Sequence, residues 1–316
     1  MPVPSALVGR GTDPITHDVD ARWTMAHAAS IGATAPPYLD TTRTGGIVAH
    51  PLFPVCLEWP AVTAARRLVD PAVLTHDEAA GGVHATHDLV VHRPVRPDDR
   101  LTTTATVVAV EARSPGAYQV LRLDTVDTAG DPVATTHMGS LFLGVAVDGD
   151  DRPFVAGPPD LPACTDEARH GVRLATTPMV TDRGLAHTYT EGARIWNPIH
   201  TDAAVAVAAG LPGPILHGTA TLALAVSRVV DVVAGGDPTT VRRVRARFGA
   251  MVRPGETIVV RLLPAEPLDP AGDAGGGGDA GGGGGGDQVV HLEVLNEAGE
   301  PAVRDAAVVV GPAHRP

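Results

Sequence analysis

Two stretches of this chain repeat the same turn and strand grammar, and that repetition limits what it can fold into more than any other feature. Val95-Arg96-Pro97-Asp98-Asp99-Arg100-Leu101 leads into the alternating run Thr102 to Glu111, and Val252-Arg253-Pro254-Gly255-Glu256-Thr257-Ile258 leads into Val259 to Leu263, at an offset of 157 residues. Further on, Leu121 to Val126, Ala129-Gly130-Asp131-Pro132 and Val133 to Leu143 correspond to Val290 to Leu295, Ala298-Gly299-Glu300-Pro301 and Ala302 to Val310, at an offset of 169. The offset grows by 12, and the second copy holds Ala271 to Asp287, a tract of Gly with Ala and Asp. An insertion there accounts for most of the growth. A duplication of this length makes two similar domains, not a solenoid.

The tract at residues 271–287 cannot bury apolar area against its ordering entropy, so a flexible surface loop is expected there. Asp148 to Pro162 is rich in Asp, Gly and Pro, as a connection between domains should be. The expected domains are therefore 1–160 and 161–316. Within each, period-two runs with hairpin turns predict antiparallel strands. The second half also predicts a helix over Gly218 to Ala234, where Leu222, Val226, Val229 and Val233 recur at helical spacing. Ala223, Leu224 and Ala225 make that helix apolar nearly all round, so it should be buried and wrapped by sheet. Val55 to Leu68 is the best equivalent in the first half. The expected fold class is α+β, two antiparallel sheets each wrapped around a central helix.

Composition removes several kinds of chemistry. All 24 basic residues are arginine and none is lysine, which excludes Schiff-base lysines and the lysine of a phosphate loop. A formal charge of -12 disfavours nucleic acid as a partner. Cys56 and Cys164 share no short spacing, so neither a disulfide framework nor a zinc cluster is indicated, and a reducing cytoplasm is the expected location. The 14 histidines are scattered rather than set at ligand spacing, so no metal and no cofactor are expected. The most apolar stretch, Ala203 to Ala234, is broken by Pro212, Pro214, His217, Arg228 and Asp231, and no membrane partner is expected.

The least ordinary stretch is Tyr189 to Thr219. Asn197-Pro198 marks a turn, because the residue before proline is pushed out of helical space. Asp202 suits the cap of a short helix over Ala203 to Ala209, with Gly210 as its stop. His200 then stands between a turn and a helix start, either as a surface or capping histidine or as a proton-transfer group. His217-Gly218-Thr219 opens the buried helix. A helix start exposes unpaired N–H groups, and glycine lets a ligand carbonyl approach them, although tight packing alone also calls for glycine. Trp196 is read as packing on the sheet or lining the pocket. Arg242, Arg243, Arg245 and Arg247 form either a solvated face or a contact for phosphate. His50-Pro51 is read as structural.

Asn197-Pro198-Ile199-His200-x-Asp202, followed by Pro214-Ile215-Leu216-His217-Gly218, resembles the motif of the MaoC-like, (R)-specific enoyl-CoA hydratase family. The family's larger members are two hot-dog domains in one chain, so the resemblance implies a double hot-dog fold. It implies His200 as catalytic histidine, Gly218 as the residue whose amide holds the thioester oxygen, and Asn197 as an orienting residue. His217, Trp196 and, through coenzyme A phosphates, Arg245 are its expected substrate contacts. The implied reaction is hydration or dehydration of an acyl thioester on coenzyme A or a carrier protein, with the first domain housing the acyl tail.

The family's catalytic aspartate falls at Ile195 here. Isoleucine cannot take a proton from water, so a non-standard substrate is expected. Glu191, on the same face as Ile195 if the segment is extended, and Asp202 are the candidate replacement carboxylates. The alternatives are an acyl-thioester-binding or assembly subunit and, less favoured, a thioesterase. Homodimerisation is left open.

Overall fold

The structure, a computed structural model, describes residues 2–69, 82–154, 157–165, 171–268 and 286–312. The flexible loop expected at residues 271–287 lies, up to residue 285, outside the described residues. The strands are β1 (Val3–Pro4), β2 (Ile15–Asp18), β3 (Gly82–Val91), β4 (Arg100–Arg113), β5 (Gly116–Val126), β6 (Pro132–Leu143) and β7 (Val147–Asp148). In the second half they are β8 (Ala175–Val180), β9 (Val241–Phe248), β10 (Thr257–Pro267), β11 (Gln288–Leu295) and β12 (Pro301–Val310). The α-helices are α1 (Ala21–Ser30), α2 (Pro36–Leu39), α3 (Pro54–Ala65), α4 (Leu185–Ala193), α5 (Ala203–Ala208) and α6 (Gly218–Val232).

The two expected sheets are fused. One sheet runs in the order β2-β4-β5-β6-β3-β9-β12-β11-β10-β8, with the halves joined where β3 pairs antiparallel with β9. Left apart, β3 and β9 would each present an open row of backbone donors and acceptors, and pairing removes both edges. The long helices α3 and α6 lie on one face, against strands of their own halves. Every residue of α6 from Thr219 to Val226 is buried, as its apolar circumference requires. One core cluster contains both Leu52 to Leu57 and Leu222 to Val226, so the apolar interior crosses from one half to the other.

The repeated turns agree in their hydrogen bonds. Arg96 N–H donates to the Asp99 carboxylate at 2.8 Å, and Arg253 N–H donates to that of Glu256 at 3.0 Å. The intervening Asp98 and Gly255 both take positive φ, 71° and 95°, which aspartate tolerates and glycine adopts freely. At the second landmark Gly130 N–H donates to Asp127 O at 3.0 Å and Gly299 N–H to Asn296 O at 2.9 Å. The same backbone solution occurs twice.

The short helix expected over Ala203 to Ala209 is present as α5, but the strand-dominated reading of the sequence missed an earlier helix in each half, α1 and α4. Residues 185–193 are helical, with Leu185, Ala186, Tyr189 and Ala193 buried at helical spacing. The extended segment assumed for Glu191 is therefore corrected. Gly192 makes no bulge. A Cβ there would lie 2.8 Å from Ala26 O, so its glycine lets α4 pack closely on α1. Among the described residues no helix is long and apolar enough to cross a membrane.

Candidate active site

A cavity of about 400 Å³ opens at the start of α6, and its wall includes Asn197, His200, His217 and Gly218. Asn197 caps the 3₁₀ turn Pro198–His200, its side-chain oxygen accepting from Ile199 N–H. The turn hands His200 to the segment before α6, where its Nδ1 lies 2.8 Å from Ile215 O. A carbonyl oxygen only accepts, so Nδ1 carries the hydrogen and Nε2 keeps its lone pair. Burial holds the His200 pKa below the usual histidine value, and the bond to Ile215 O offsets part of that shift. Near neutral pH the ring is an uncharged base.

His217 stands immediately before α6, with no side-chain cap on the helix. Its Nε2 is 3.3 Å from Thr190 Oγ1 on α4, and its ring stacks on His200 with centroids 3.6 Å apart. Burial, and then the neighbouring His200, push its pKa well below the ordinary range. The first N–H groups of α6 have no partner within the helix, and Gly218 and Thr219 line the cavity. Gly218 is tightly placed, because an added Cβ would come within 3.0 Å of the Phe248 ring. An uncharged imidazole and a row of N–H donors thus share one enclosed space. The pairing can move a proton and stabilise an oxygen that gains negative charge.

The other expected residues separate from this centre. Ile195 lines the cavity and is buried, next to Arg194 at φ 56°, the left-handed end of α4. Trp196 does not line it. Asn197 N–H donates to Ile195 O at 3.2 Å, closing a tight turn around Trp196, whose side chain is 61% exposed. Arg245 is also away from the site. In β9, Val244 and Ala246 are buried in the helix-side core, so Arg243, Arg245 and Arg247 face the opposite side of the sheet. Arg243 pairs there with Asp88 at 2.7 Å, and Arg245 lies 3.8 Å from Asp160.

Neither proposed replacement carboxylate reaches the cavity wall. Glu191 sits on the exposed side of α4. Asp202 caps α5 by accepting from Ala204 and Val205 N–H at 2.8 and 3.1 Å. His50 is buried, accepts from Leu52 N–H at 3.1 Å and lies 3.2 Å from Ser227 Oγ on α6. A carboxyl that the sequence reading passed over does line the cavity: Glu58 of α3, buried, accepting a hydrogen bond from Thr136 Oγ1 of β6. Its signal was a single acidic residue inside the otherwise uncharged run Pro54 to Ala65.

Residues 6–136 match the model of the FAS1-like dehydratase domain region, and residues 169–266 match that of the MaoC like domain. The 3-hydroxyacyl-thioester dehydratase Y of Mycobacterium tuberculosis is 27% identical over 84% of this chain and 89% of its own length. A peroxisomal enoyl-CoA hydratase 2 of Arabidopsis thaliana is 43% identical over a shorter region, 21% of this chain and 22% of that protein. Among solved structures, a MaoC-like dehydratase from Phytophthora capsici superposes with a TM-score of 0.73 at 20% identity, covering 98% of both chains. With the duplicated architecture and the histidine turn before α6, these matches give the chain a FAS1-like dehydratase domain region followed by a MaoC like domain, in a double hot-dog fold.

Proposed function

We propose that this protein is a hydro-lyase of acyl thioesters, adding water to an enoyl thioester or removing it from a 3-hydroxyacyl thioester on coenzyme A or a carrier protein. The single observation that carries the reading is the pairing of His200, with Nε2 unprotonated, and the uncapped start of α6 at Gly218 in one cavity. In the dehydration direction His200 Nε2 takes the proton next to the carbonyl and passes it to the β-hydroxyl, which leaves as water as the β C–O bond breaks and the double bond forms. The Gly218 amide donates to the thioester oxygen as charge moves onto it, and Asn197 keeps the turn that aims the imidazole. The N-terminal half receives the acyl tail, since the same cavity continues along Val55, Val62, Leu121 and Met138.

Ile195 sets the finer part of the proposal. A second proton-transfer group contributes roughly 10² to 10⁴ in rate. With an isoleucine in that place, the preferred substrate is one with easier chemistry than a simple fatty enoyl thioester. The same isoleucine favours one rival, a thioester-binding subunit without turnover. The test is to supply crotonyl-coenzyme A and longer enoyl and 3-hydroxyacyl thioesters and follow the enoyl absorbance together with free thiol. Change in enoyl absorbance without thiol supports the proposal, thiol release indicates a thioesterase, and binding without either supports the rival.

A further inference from the structure

The cavity that begins at His200 does not become a uniformly apolar tunnel in the N-terminal half. Val55, Val62 and Leu121 would suit a bare alkyl chain, but Glu58 interrupts them. Its side chain is 3% exposed, and its hydrogen-bond partner among the described residues is the Thr136 hydroxyl at 2.5 Å. A carboxylate offers about four acceptor sites and a carboxylic acid one donor besides, so a single bond from Thr136 leaves most of that capacity unused. Beside it, Leu89 is the register partner of Thr136 in β3, and His87 lies two residues before Leu89 on the same helix-facing side. His87 also lines the cavity, is 1% exposed, and has no hydrogen-bond partner for either ring nitrogen among the described residues.

Two buried polar groups with unspent hydrogen-bonding capacity are a poor wall for hydrocarbon. Passing methylenes over them removes water and returns nothing, whereas a leucine in place of Glu58 would cost no desolvation of a carboxyl. Burial also raises the Glu58 pKa to about 7, so near neutral pH the group can donate as well as accept. A ligand carboxylate is disfavoured by the partly ionised Glu58, and a hydroxyl, which both accepts and donates, fits.

Resting on the hydro-lyase reading of the same cavity, we propose that Glu58, supported by Thr136 and His87, selects acyl thioesters whose chain bears a hydroxyl beyond the β-carbon. Glu58 is in this view a specificity-determining residue, separate from the proton transfer at His200.

The experiment measures binding rather than turnover, so it reads the inference whether or not the proposed reaction is catalysed. Thioethers of coenzyme A that keep the carbonyl, with a methylene between it and the sulfur (2-oxononyl-coenzyme A), and that carry one hydroxyl on successive carbons beyond the β-carbon are titrated calorimetrically against the unsubstituted 2-oxononyl thioether. The wild-type chain is expected to bind one hydroxylated member about tenfold or more tighter than the plain chain, the scale of one satisfied against one unpaired buried group. Glu58→Leu removes that preference, binds the plain chain at least as well, and raises the melting temperature. Glu58→Gln, which keeps size and hydrogen bonding, retains the preference and checks that loss in the leucine variant is not misfolding. Equal binding of all members by the wild type, no binding of any, or a Glu58→Leu variant that keeps the preference or weakens every member alike, would overturn the inference. Loss of the hydro-lyase reading shows separately, as absence of turnover by a protein that still discriminates between the thioethers.

Discussion

The imidazoles of His200 and His217 stack with centroids 3.6 Å apart and planes 26° from parallel. The contact joins two segments that the sequence separates, the turn at Pro198–His200 and the start of α6. It also couples their charge states. Two imidazolium rings at that separation in a buried site repel strongly, so protonating one disfavours protonating the other. The first expectation concerns pH. Because the His200 pKa is lowered from 6.5, the acid limb of kcat/KM should have its midpoint below pH 6.5. A pH-rate profile measures this, and an acid limb above 6.5 contradicts the assignment of His200 as the neutral base.

Gly218→Ala separates the reaction from stability. Alanine is favoured over glycine inside a helix by about 1 kcal/mol, but here its Cβ meets the Phe248 ring at 3.0 to 3.1 Å beside the uncapped N–H groups. The expected result is a melting temperature within a few degrees of wild type and a fall in thioester turnover of tenfold or more. Calorimetry and steady-state kinetics on the same preparation check both.

Ile195→Asp places a carboxylate where the resemblance in sequence expects the catalytic aspartate. Ile195 is 6% exposed, so the change buries a polar group and should destabilise the fold by about 1 to 3 kcal/mol. It should also raise turnover of plain enoyl thioesters relative to wild type. Chemical denaturation and the enoyl absorbance assay read the two effects, and a destabilised variant with no gain on plain chains would mean that Ile195 does not limit the reaction.

Desolvated histidines predict acid sensitivity. Desolvation lowers the pKa of His27 and His84 to about 3 and of His87 to about 4, against 6.5 when exposed. The unfolded chain therefore binds protons below about pH 6.5 that the folded chain refuses. Stability is fully present above that pH and is lost as pH falls toward 3, at up to about 1.4 kcal/mol per pH unit for each ring. Glu58 acts in the opposite sense, its pKa raised from 4.5 to about 7, so its contribution is present below 4.5 and lost as pH rises through 7. Several rings against one carboxyl leave a net loss on acidification. Thermal melts from pH 8 to 4 should show it, with a shallower dependence in His27→Leu.

The duplicated turns, the buried helix near Gly218 and the cap at Asp202 were legible because each rests on local chemistry: positive φ, helical spacing, a side chain three residues from its partner. What failed was tertiary. The helix over Leu185–Ala193 was hidden because Thr188 and Thr190 suit a strand and Gly192 disfavours a helix interior, and only packing against α1 explains the glycine. Trp196 and Arg245 were placed by proximity in sequence, whereas a tight turn leaves Trp196 exposed and strand alternation turns Arg245 away from the cavity. Glu58 comes to the site from the other half of the chain, through the joining of the halves at β3 and β9, which no local pattern reports.

The central claim is that His200 transfers the proton of a thioester held at the start of α6. The direct measurement is single-turnover and steady-state kinetics of His200→Ala beside wild type on the best thioester found, with binding of an unreactive thioether measured in parallel. The account predicts a fall in kcat of roughly 10² to 10⁴ with thioether affinity kept within a few-fold. Unchanged turnover in the variant, or a loss explained entirely by weaker binding, would contradict it.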